Sequence, residues 1–460
     1  MKTIKQNLML SVVIFVVSFA ATAYGIETPV SLDEFIIGAC KEDKEFEVIL
    51  IDELGLAYQK ALGLPARDFV LSLKSEYNLF VETEKEEPEY DISLSKLFPS
   101  TGTEVSGGYV TTSNNDRGSV SSEYSIKISQ PVARNAFGYA TRLLDKIIGL
   151  EVDVAGYQII EAYETYLASI VLLYYDWYES YENLKTAENS YNENVKLLEN
   201  VKKREKDNIA LPVDVNKVKI QVMTKQEDLV ELRSKHKENA NLLRKSLGLT
   251  EDVQIIPGMG DKFEGTEIDL KSDYAKFRET SRTTRILDML EKKSKLEVNK
   301  YANQLLPSVD IYGEFDVTAT DRYMEKDDKK AFMGISIEYP FPGEVERAEL
   351  EVSKISSRKQ ALSNENTHDI IYVRLRNIDE EIQKEKELIK IADEKINVAE
   401  AIVNDDTINY SYGKIVLNNF IDEVNRLDQA RFNKIQHTIK LKKLIIEWLA
   451  LTDTLVVNVH

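Results

Sequence analysis

The histidines of this chain show no catalytic or metal-binding pattern. His236, His368, His437 and His460 are scattered along the sequence, whereas a zinc site of the H-E-x-x-H type needs two histidines on one helical face. No G-x-S-x-G segment, which would indicate a nucleophilic serine, is present. We therefore expect that the protein is not an enzyme and that it binds neither a metal ion nor a cofactor.

The residues whose spacing suggests a function surround a break in a long helical pattern. The segment TINYSYGKIVLNNFIDEVNRLDQAR runs from Thr407 to Arg431. Its tip residues are Tyr410, Gly413, Lys414, Asn419 and Asp422. Glycine ends a helix because it adopts positive φ without a Cβ clash, and acidic or amide side chains suit the first turn of the next helix. The pattern predicts an antiparallel helical hairpin with a polar, acidic tip.

A second hairpin of this kind lies about 205 residues earlier, which indicates an internal duplication. It reads KREKDNIALPVDVNKVKIQVMTKQEDL, from Lys203 to Leu229. Asn208, which also tolerates positive φ, occupies the position in the first hairpin that corresponds to Gly413 in the second. In the same alignment of the two hairpins Asp214 corresponds to Asn419. Two interpretations of the acidic groups stay open: they form an electronegative entrance that favours cations, or they contribute about 0.3–1 kcal/mol each at helix starts.

Segments of alternating polarity precede each hairpin and predict strands. The candidates are Phe69–Glu82, Tyr90–Leu97, Glu104–Thr112 and Glu123–Gln130, then Ser308–Val317 and Met333–Tyr339. They fit either a sheet packed on helices or a barrel with an apolar exterior and a polar lumen. We expect the last two candidates of the first set to form a barrel pair, with the earlier ones extending it or folding beside it.

Proline-free helical patterns follow the strands, from Arg134 to Asn208 and from Gly343 to Tyr412. About 70 residues of helix would span about 100 Å. Shorter helices are predicted for Ser31–Leu64 and Ser272–Leu305. These patterns predict a fold that is mainly α, and in the barrel interpretation its strands are those of a membrane β-barrel. The predicted divisions are a signal peptide (1–25), a first repeat (26–250), a linker (251–271) and a second repeat (272–460).

The N-terminus and the composition predict export. Residues 1–25 have a basic start and a short apolar core, and the small-residue pattern allows cleavage after Ala23 or Gly25. The chain has 78 acidic and 59 basic residues, a net charge of −19, which argues against nucleic acid as a partner. Its one cysteine, Cys40, is separated from the apolar core by charged residues, so we interpret it as a helix residue and not as a lipid-attachment site. After the signal no segment is apolar and long enough for a membrane helix, so contact with a membrane would be made by strands.

The order of these elements resembles the TolC family of outer-membrane efflux proteins. The residues that carry the resemblance are Ser129-Gln130-Pro131 closing a strand, Leu306-Pro307-Ser308 opening one, Leu247-Gly248-Leu249 closing the first hairpin, and the Tyr410–Asp422 tip. The match covers essentially the whole mature chain. The resemblance implies a homotrimer in the outer membrane of a Gram-negative bacterium, with a shared β-barrel in outer-membrane lipid and a periplasmic tube of helices. It also implies a periplasmic adaptor protein and an inner-membrane pump as partners, for efflux of drugs or metabolites or for type I protein secretion.

The resemblance also implies roles for residues at the tips. Acidic residues at the entrance of family members match Asn419 and Asp422, so one of the two is an amide here. A tyrosine matching Tyr410 bonds an aspartate matching Asp214 in the closed family members. The arginine that assists this contact is replaced by Ile415, with Lys414 adjacent.

Two other classes of protein fit part of the pattern. A secreted coiled-coil stalk without a pore could use the same helices, but it has no need of paired strands before each hairpin. A periplasmic adaptor would have one hairpin with lipoyl-like and small barrel modules, and not a tandem duplication.

Overall fold

The computed structural model describes residues 28–63, 68–80, 85–114, 119–250, 253–258, 263, 265–319 and 327–458. The predicted signal peptide and its two cleavage sites lie outside the described residues. The elements, in chain order, are β1 (Thr28–Val30), α1 (Leu32–Glu42), α2 (Lys44–Gly63), β2 (Val70–Phe80), β3 (Lys85–Phe98), β4 (Thr103–Asn114), β5 (Ser119–Pro131), α3 (Tyr139–Lys206), α4 (Pro212–Ser246), β6 (Ile255–Pro257), α5 (Leu270–Thr280), α6 (Arg282–Gln304), β7 (Ser308–Ala319), β8 (Asp327–Glu338), α7 (Glu344–Ser411), α8 (Leu417–Leu451) and α9 (Leu455–Asn458).

Two helical hairpins of equal dimensions dominate the chain and confirm the predicted fold class. Helices α3 and α7 each have 68 residues, and α4 and α8 each have 35. Helices α3 and α7 begin at residues 139 and 344, and α4 and α8 begin at residues 212 and 417. The separation is 205 positions for both pairs. At about 1.5 Å per residue the longer helices extend about 100 Å. No described helix contains a stretch that is both long and apolar enough to cross a membrane.

Two helices that the sequence predicts as continuous are each divided in the structure. The N-terminal helix breaks at Asp43, whose backbone is extended with ψ 124°. The helix predicted for Ser272–Leu305 breaks at Ser281, which has ψ 152°. Ser281 Oγ accepts a hydrogen bond from the backbone N–H of Thr284 at 3.0 Å. A polar cap of this kind stabilises a new helix start by about 1 kcal/mol, and periodicity alone does not reveal it.

Six strands form one antiparallel sheet in the order β2-β3-β4-β5-β7-β8. The two early strand candidates therefore extend the sheet. The register brings the apolar positions of successive strands onto one face: Leu73 is opposite Ile92, Ile126 opposite Phe315, and Ile311 opposite Ile335. The exposed apolar side chains of this face include Leu71, Leu73, Ile92, Leu94, Tyr124, Ile126, Ile128, Ile311, Phe315, Met333, Ile335 and Ile337.

The chain divides into two compact units, of which the first contains Leu173–Glu264, Glu394–Ile439 and the residues up to Asp43. Its helices pack around a small apolar cluster formed by Val201, Val218, Val222 and Leu417. Elsewhere in the same unit, β1 and β6 form a parallel pair. The hydroxyl of Tyr174 donates to the carbonyl of Val30 at 3.0 Å, which ties this pair to α3.

The second unit contains Lys44–Leu172, Gly265–Asp393 and the residues from Lys440 onwards. It holds the six-stranded sheet and a larger core, whose fully buried members include Phe277, Leu375, Ile382 and Trp448. The indole Nε1 of Trp448 donates to Asp273 at 3.1 Å, so the one polar atom of this side chain is satisfied.

Two glycines make the close contact between the β3–β4 turn and the start of α3. Gly102 has φ +71° and Gly138 has φ +75°. A Cβ atom on Gly138 would lie 2.8 Å from the backbone N of Gly102 and 2.8 Å from the carbonyl O of Pro99. Neither backbone atom can move aside as a flexible side chain could, so both the conformation and the space require glycine here.

We expect Gly138→Ala to lower the folded yield and the melting temperature in detergent, since it adds both a left-handed alanine and a backbone clash. Gly149→Ala is the matched control, because Gly149 lies within α3 and a Cβ there meets nothing within 4 Å. That variant is expected to be equally or slightly more stable, by about 0.5–1 kcal/mol. Equal melting temperatures for the two variants would contradict the assignment of the glycine contact.

Candidate functional site at the hairpin tips

The two turns that close the long hairpins have the same backbone design. Asn208 in the first turn has φ 56°, and Gly413 in the second has φ 70°. In each turn the same backbone bond caps the long helix: Ile209 N–H donates to Arg204 O at 2.8 Å in the first, and Lys414 N–H donates to Asn409 O at 2.9 Å in the second. A Cβ on Gly413 would meet nothing within 4 Å. Its left-handed conformation, and not crowding, therefore accounts for glycine at this position.

Asp214 lies in the first turn of α4 and caps that helix. Its Oδ2 accepts a hydrogen bond from the backbone N–H of Leu211 at 3.3 Å. Pro212 occupies the first helical position, where its missing N–H costs nothing. A carboxylate at this place also interacts favourably with the positive end of the helix dipole. Asp214 therefore makes the contacts expected of an acidic residue at a helix start.

Tyr410 is held between an aromatic ring and a cation. Its ring is parallel to that of Phe420, with 5.7 Å between the centroids and 5° between the planes. The guanidinium carbon of Arg204 lies 4.6 Å from the centre of the Tyr410 ring. Burial raises the pKa of the Tyr410 hydroxyl; the positive charge of Arg204 opposes this, while the negative charge of Asp214 adds to it.

Arg204 also caps the end of α7. Its Nη1 donates to the carbonyl oxygen of Tyr410 at 2.8 Å and to that of Ser411 at 3.0 Å. A cation at the C-terminus of a helix satisfies carbonyls that have no partner within the helix and suits the negative end of its dipole. Arg204 therefore connects α3, in the first hairpin, to the last turn of α7, in the second hairpin.

The sequence-predicted contact between Tyr410 and Asp214 takes a different form. In the described part of the chain no hydrogen bond joins the Tyr410 hydroxyl to the Asp214 carboxylate, although the negative charge of Asp214 contributes to the raised pKa of Tyr410. Ile415 stands where family members have an arginine, and the cation that contacts Tyr410 is Arg204, about 210 positions earlier in the chain. The sequence contains a signal for it, since Lys203, Arg204 and Lys206 are basic residues in the last turn of α3, but it does not say which side chain turns towards α7.

The remaining predicted tip residues are exposed. Asn419 and Asp422 both face solvent on α8, and within the described residues neither makes an ion pair or a side-chain hydrogen bond. The ammonium of Lys414 lies 5.6 Å from the centre of the Tyr412 ring. The structure thus brings Asp214 and Tyr410 into one cluster with Arg204, and leaves Asn419 and Asp422 exposed on α8.

A buried polar network lies further along the same helices. Asp428 is 2% exposed, and its Oδ2 is 2.7 Å from the Lys225 ammonium and accepts a short hydrogen bond from the hydroxyl of Ser190. One turn nearer the tip, Gln221 donates to Asn425 at 2.7 Å. Because a buried charge that loses its partner costs about 3–5 kcal/mol, this network fixes α8 against α3 and α4.

Three other carboxylates come close together but already have partners. Oxygen atoms of Glu161, Glu164 and Asp453 lie within 4.8 Å of one another. Arg282 donates to Glu161 at 3.0 Å and also contacts Glu164, and Glu164 accepts from the backbone N–H of Leu455 at 2.8 Å. Burial and the charge of Asp453 raise the pKa of Glu161. The cluster is best explained as an anchor for the chain around Leu455.

Comparison with known proteins identifies the fold. No family model and no curated protein matches the sequence. Among solved structures, the outer membrane protein VceC from Vibrio cholerae is similar with a TM-score of 0.70 and 13% identity, over 92% of this chain and 96% of that one. CusC is similar with a TM-score of 0.70 and 10% identity, over 94% and 95%. The Campylobacter jejuni CmeC outer membrane channel is similar with a TM-score of 0.68 and 12% identity, over 92% and 85%. The chain has the TolC-like fold, as its sequence predicted.

We expect Arg204→Ala to loosen the last turn of α7. Hydrogen bonds from a charged donor contribute about 1.5–3 kcal/mol, so amide hydrogen exchange around Tyr412 and Lys414 should accelerate by at least about tenfold. Arg204→Lys should restore this protection only in part, since one ammonium cannot reproduce the planar contact with Tyr410. Lys203→Ala is the control, because Lys203 is exposed. Equal exchange in the Arg204→Ala and Lys203→Ala variants would contradict the capping role.

Proposed function

We propose that this chain is one subunit of a trimeric channel of the outer membrane, which provides a passive exit duct for small molecules or for secreted proteins. Its partners would be a periplasmic adaptor and an inner-membrane pump, as the resemblance to the TolC family implies. The pump would select the cargo, and the duct would perform no chemistry of its own.

The register of the six-stranded sheet is the observation that carries the proposal. One face is mainly apolar, as a lipid-facing surface must be, and it carries exposed apolar side chains on β2, β3, β5, β7 and β8. The opposite face is polar and rich in charge, as a water-filled lumen requires. Its acidic residues include Glu76, Glu89, Asp91, Glu104, Glu123, Asp310, Glu314, Asp316 and Glu338, and its basic residues include Lys74, Lys127 and Lys330. A structural stalk has no use for a sheet with one apolar and one charged face.

The strand lengths agree with this proposal. Strands β2, β4, β7 and β8 contain 11, 12, 12 and 12 residues. A tilted strand crosses the apolar part of a bilayer in about 9–11 residues. Each strand is therefore long enough to cross the membrane without an apolar helix.

The hairpin tips would form the periplasmic entrance. Asp422 is exposed on α8, and three copies around a narrow axis would concentrate negative potential and favour cations. Asp214 already caps its own helix, so Asp422 is the better candidate for the charge that solutes meet. Gly413 and Lys414 would shape the turn beside it, and Asn419 would contribute a neutral polar ring.

The molar mass of the protein extracted from outer membranes in mild detergent tests this function. Light scattering, corrected for detergent, is expected to give about three mature chains, since one curved sheet has free edges and cannot enclose a lumen alone. A water-soluble monomer or dimer, with no protein in the membrane fraction, would overturn the channel and leave the stalk.

We expect Asp422→Ala to lower the cation selectivity of the channel in lipid bilayers, and Asn419→Asp to raise it. The measurement is the reversal potential in a salt gradient, which reports the charge near the narrowest part of the path. Glu365→Ala removes the same charge from an exposed position far from the tip on α7 and is expected to leave the reversal potential unchanged. Unchanged potentials in all three variants would remove Asp422 from the entrance.

A further inference from the structure

The six-stranded sheet ends in two edge strands, β2 and β8. Among the described residues β2 pairs only with β3, and β8 pairs only with β7. Each edge strand therefore presents a row of backbone N–H and C=O groups without sheet partners. In a membrane these groups must be paired, because lipid offers no hydrogen bonds.

The edge of the sheet lies at β2 and not at β4. Strands β3 and β4 pair continuously, from Glu89 opposite Thr112 to Phe98 opposite Thr103. Strand β2 pairs with β3 along its whole length, from Val70 to Phe80. The β2–β3 hairpin thus continues the sheet, and β4 has no free side on which a neighbouring chain could add.

The directions and lengths of the two edges match each other. Every neighbouring pair in the sheet is antiparallel, so with six strands β2 and β8 run in opposite directions. A second copy that placed its β2 beside β8 would therefore continue the antiparallel pattern without interruption. The two strands contain 11 and 12 residues, so the new ladder would be as long as those within the chain.

The apolar face also continues to both edges. Leu71 and Leu73 on β2 are 61% and 69% exposed, and Ile335 and Ile337 on β8 are 66% and 70% exposed. Edge strands of soluble sheets are commonly protected by charges, prolines or bulges. Here the outward face of both edges is apolar, which suits a seam between copies within lipid.

We propose that β8 of each chain pairs with β2 of the next copy, so that three chains close a ring of eighteen strands. This inference rests on the proposed trimeric channel and adds the seam between subunits and the strand number. If the ends Glu338 and Val70 are level, Ile335 lies opposite Leu73 of the next copy, and the apolar positions of both strands fall on the same face.

The size of the lumen follows from the strand number. The diameter of a closed sheet grows roughly in proportion to the number of strands. Six strands per chain would give a lumen about one and a half times as wide as four strands per chain. Closed sheets of 16–18 strands leave an aqueous channel, so the duct would pass solutes that a narrower ring retains.

Disulfide cross-linking in the assembled protein tests the seam. All variants carry Cys40→Ser, so that no native thiol reacts. Ile335→Cys is combined with Leu73→Cys in the first variant. Two further variants combine Ile335→Cys with Leu71→Cys or with Leu79→Cys, to allow for a shift of the register. The control pair is Val105→Cys with Ile335→Cys, which would link only if β4 formed the seam. Oxidised outer membranes are analysed by gel electrophoresis without reductant, and the wild-type mass is measured by light scattering.

We expect most of the β2–β8 protein to migrate as a covalent trimer that reductant converts to monomer, and the control pair to remain monomeric. Cross-linking of the Val105 pair, or a trimer in which none of the three β2 positions links to Ile335, would overturn the eighteen-strand ring while leaving the channel intact. Absence of a trimer from the wild-type membranes would reject the channel itself.

Discussion

The ladder between β5 and β7 is the interaction on which the rest of the structure depends. It joins Ser122–Pro131 to Asp310–Ala319 and is the only place among the described residues where strands of the two repeats pair. Because side chains alternate with a period of two, a slip of one residue would turn every apolar side chain of β7 and β8 to the polar face. The ladder therefore decides whether the sheet has one apolar face or two mixed ones.

Most of the fold could be predicted because its signals are local and repeated. Alternating polarity indicated the strands, and long proline-free patterns indicated α3 and α7. The breaks at Asp43 and Ser281 were missed, since a cap is a single hydrogen bond and leaves the apolar periodicity intact. That β2 and β3 belong to the same sheet could not be predicted, because the pairing of Glu89–Phe98 with β4 is a tertiary property.

The candidate site was predictable in its backbone but not in its side-chain contacts. Asn208 and Gly413 were recognisable as left-handed residues, and both have positive φ. Arg204 was missed, because its position in the sequence does not reveal that it reaches the carbonyls of Tyr410 and Ser411. The two hairpins differ at this point, because the position that corresponds to Arg204 in the second hairpin is Asn409. The first hairpin therefore supplies a cation to the carbonyls of the second, and Asn409 has no charge to supply in return.

The separation of β5 from β7 along the chain has a consequence for folding. Strands β2 to β5 follow one another closely in the sequence and can form a meander early in folding, since local contacts form fastest. The free side of β5 then has no partner until residues 132–307 have followed and β7 arrives. During that interval an open, partly apolar edge is exposed to other chains, which is the usual route to aggregation. The order of the strands along the chain therefore makes the pairing of β7 with β5 the step that ends this exposure.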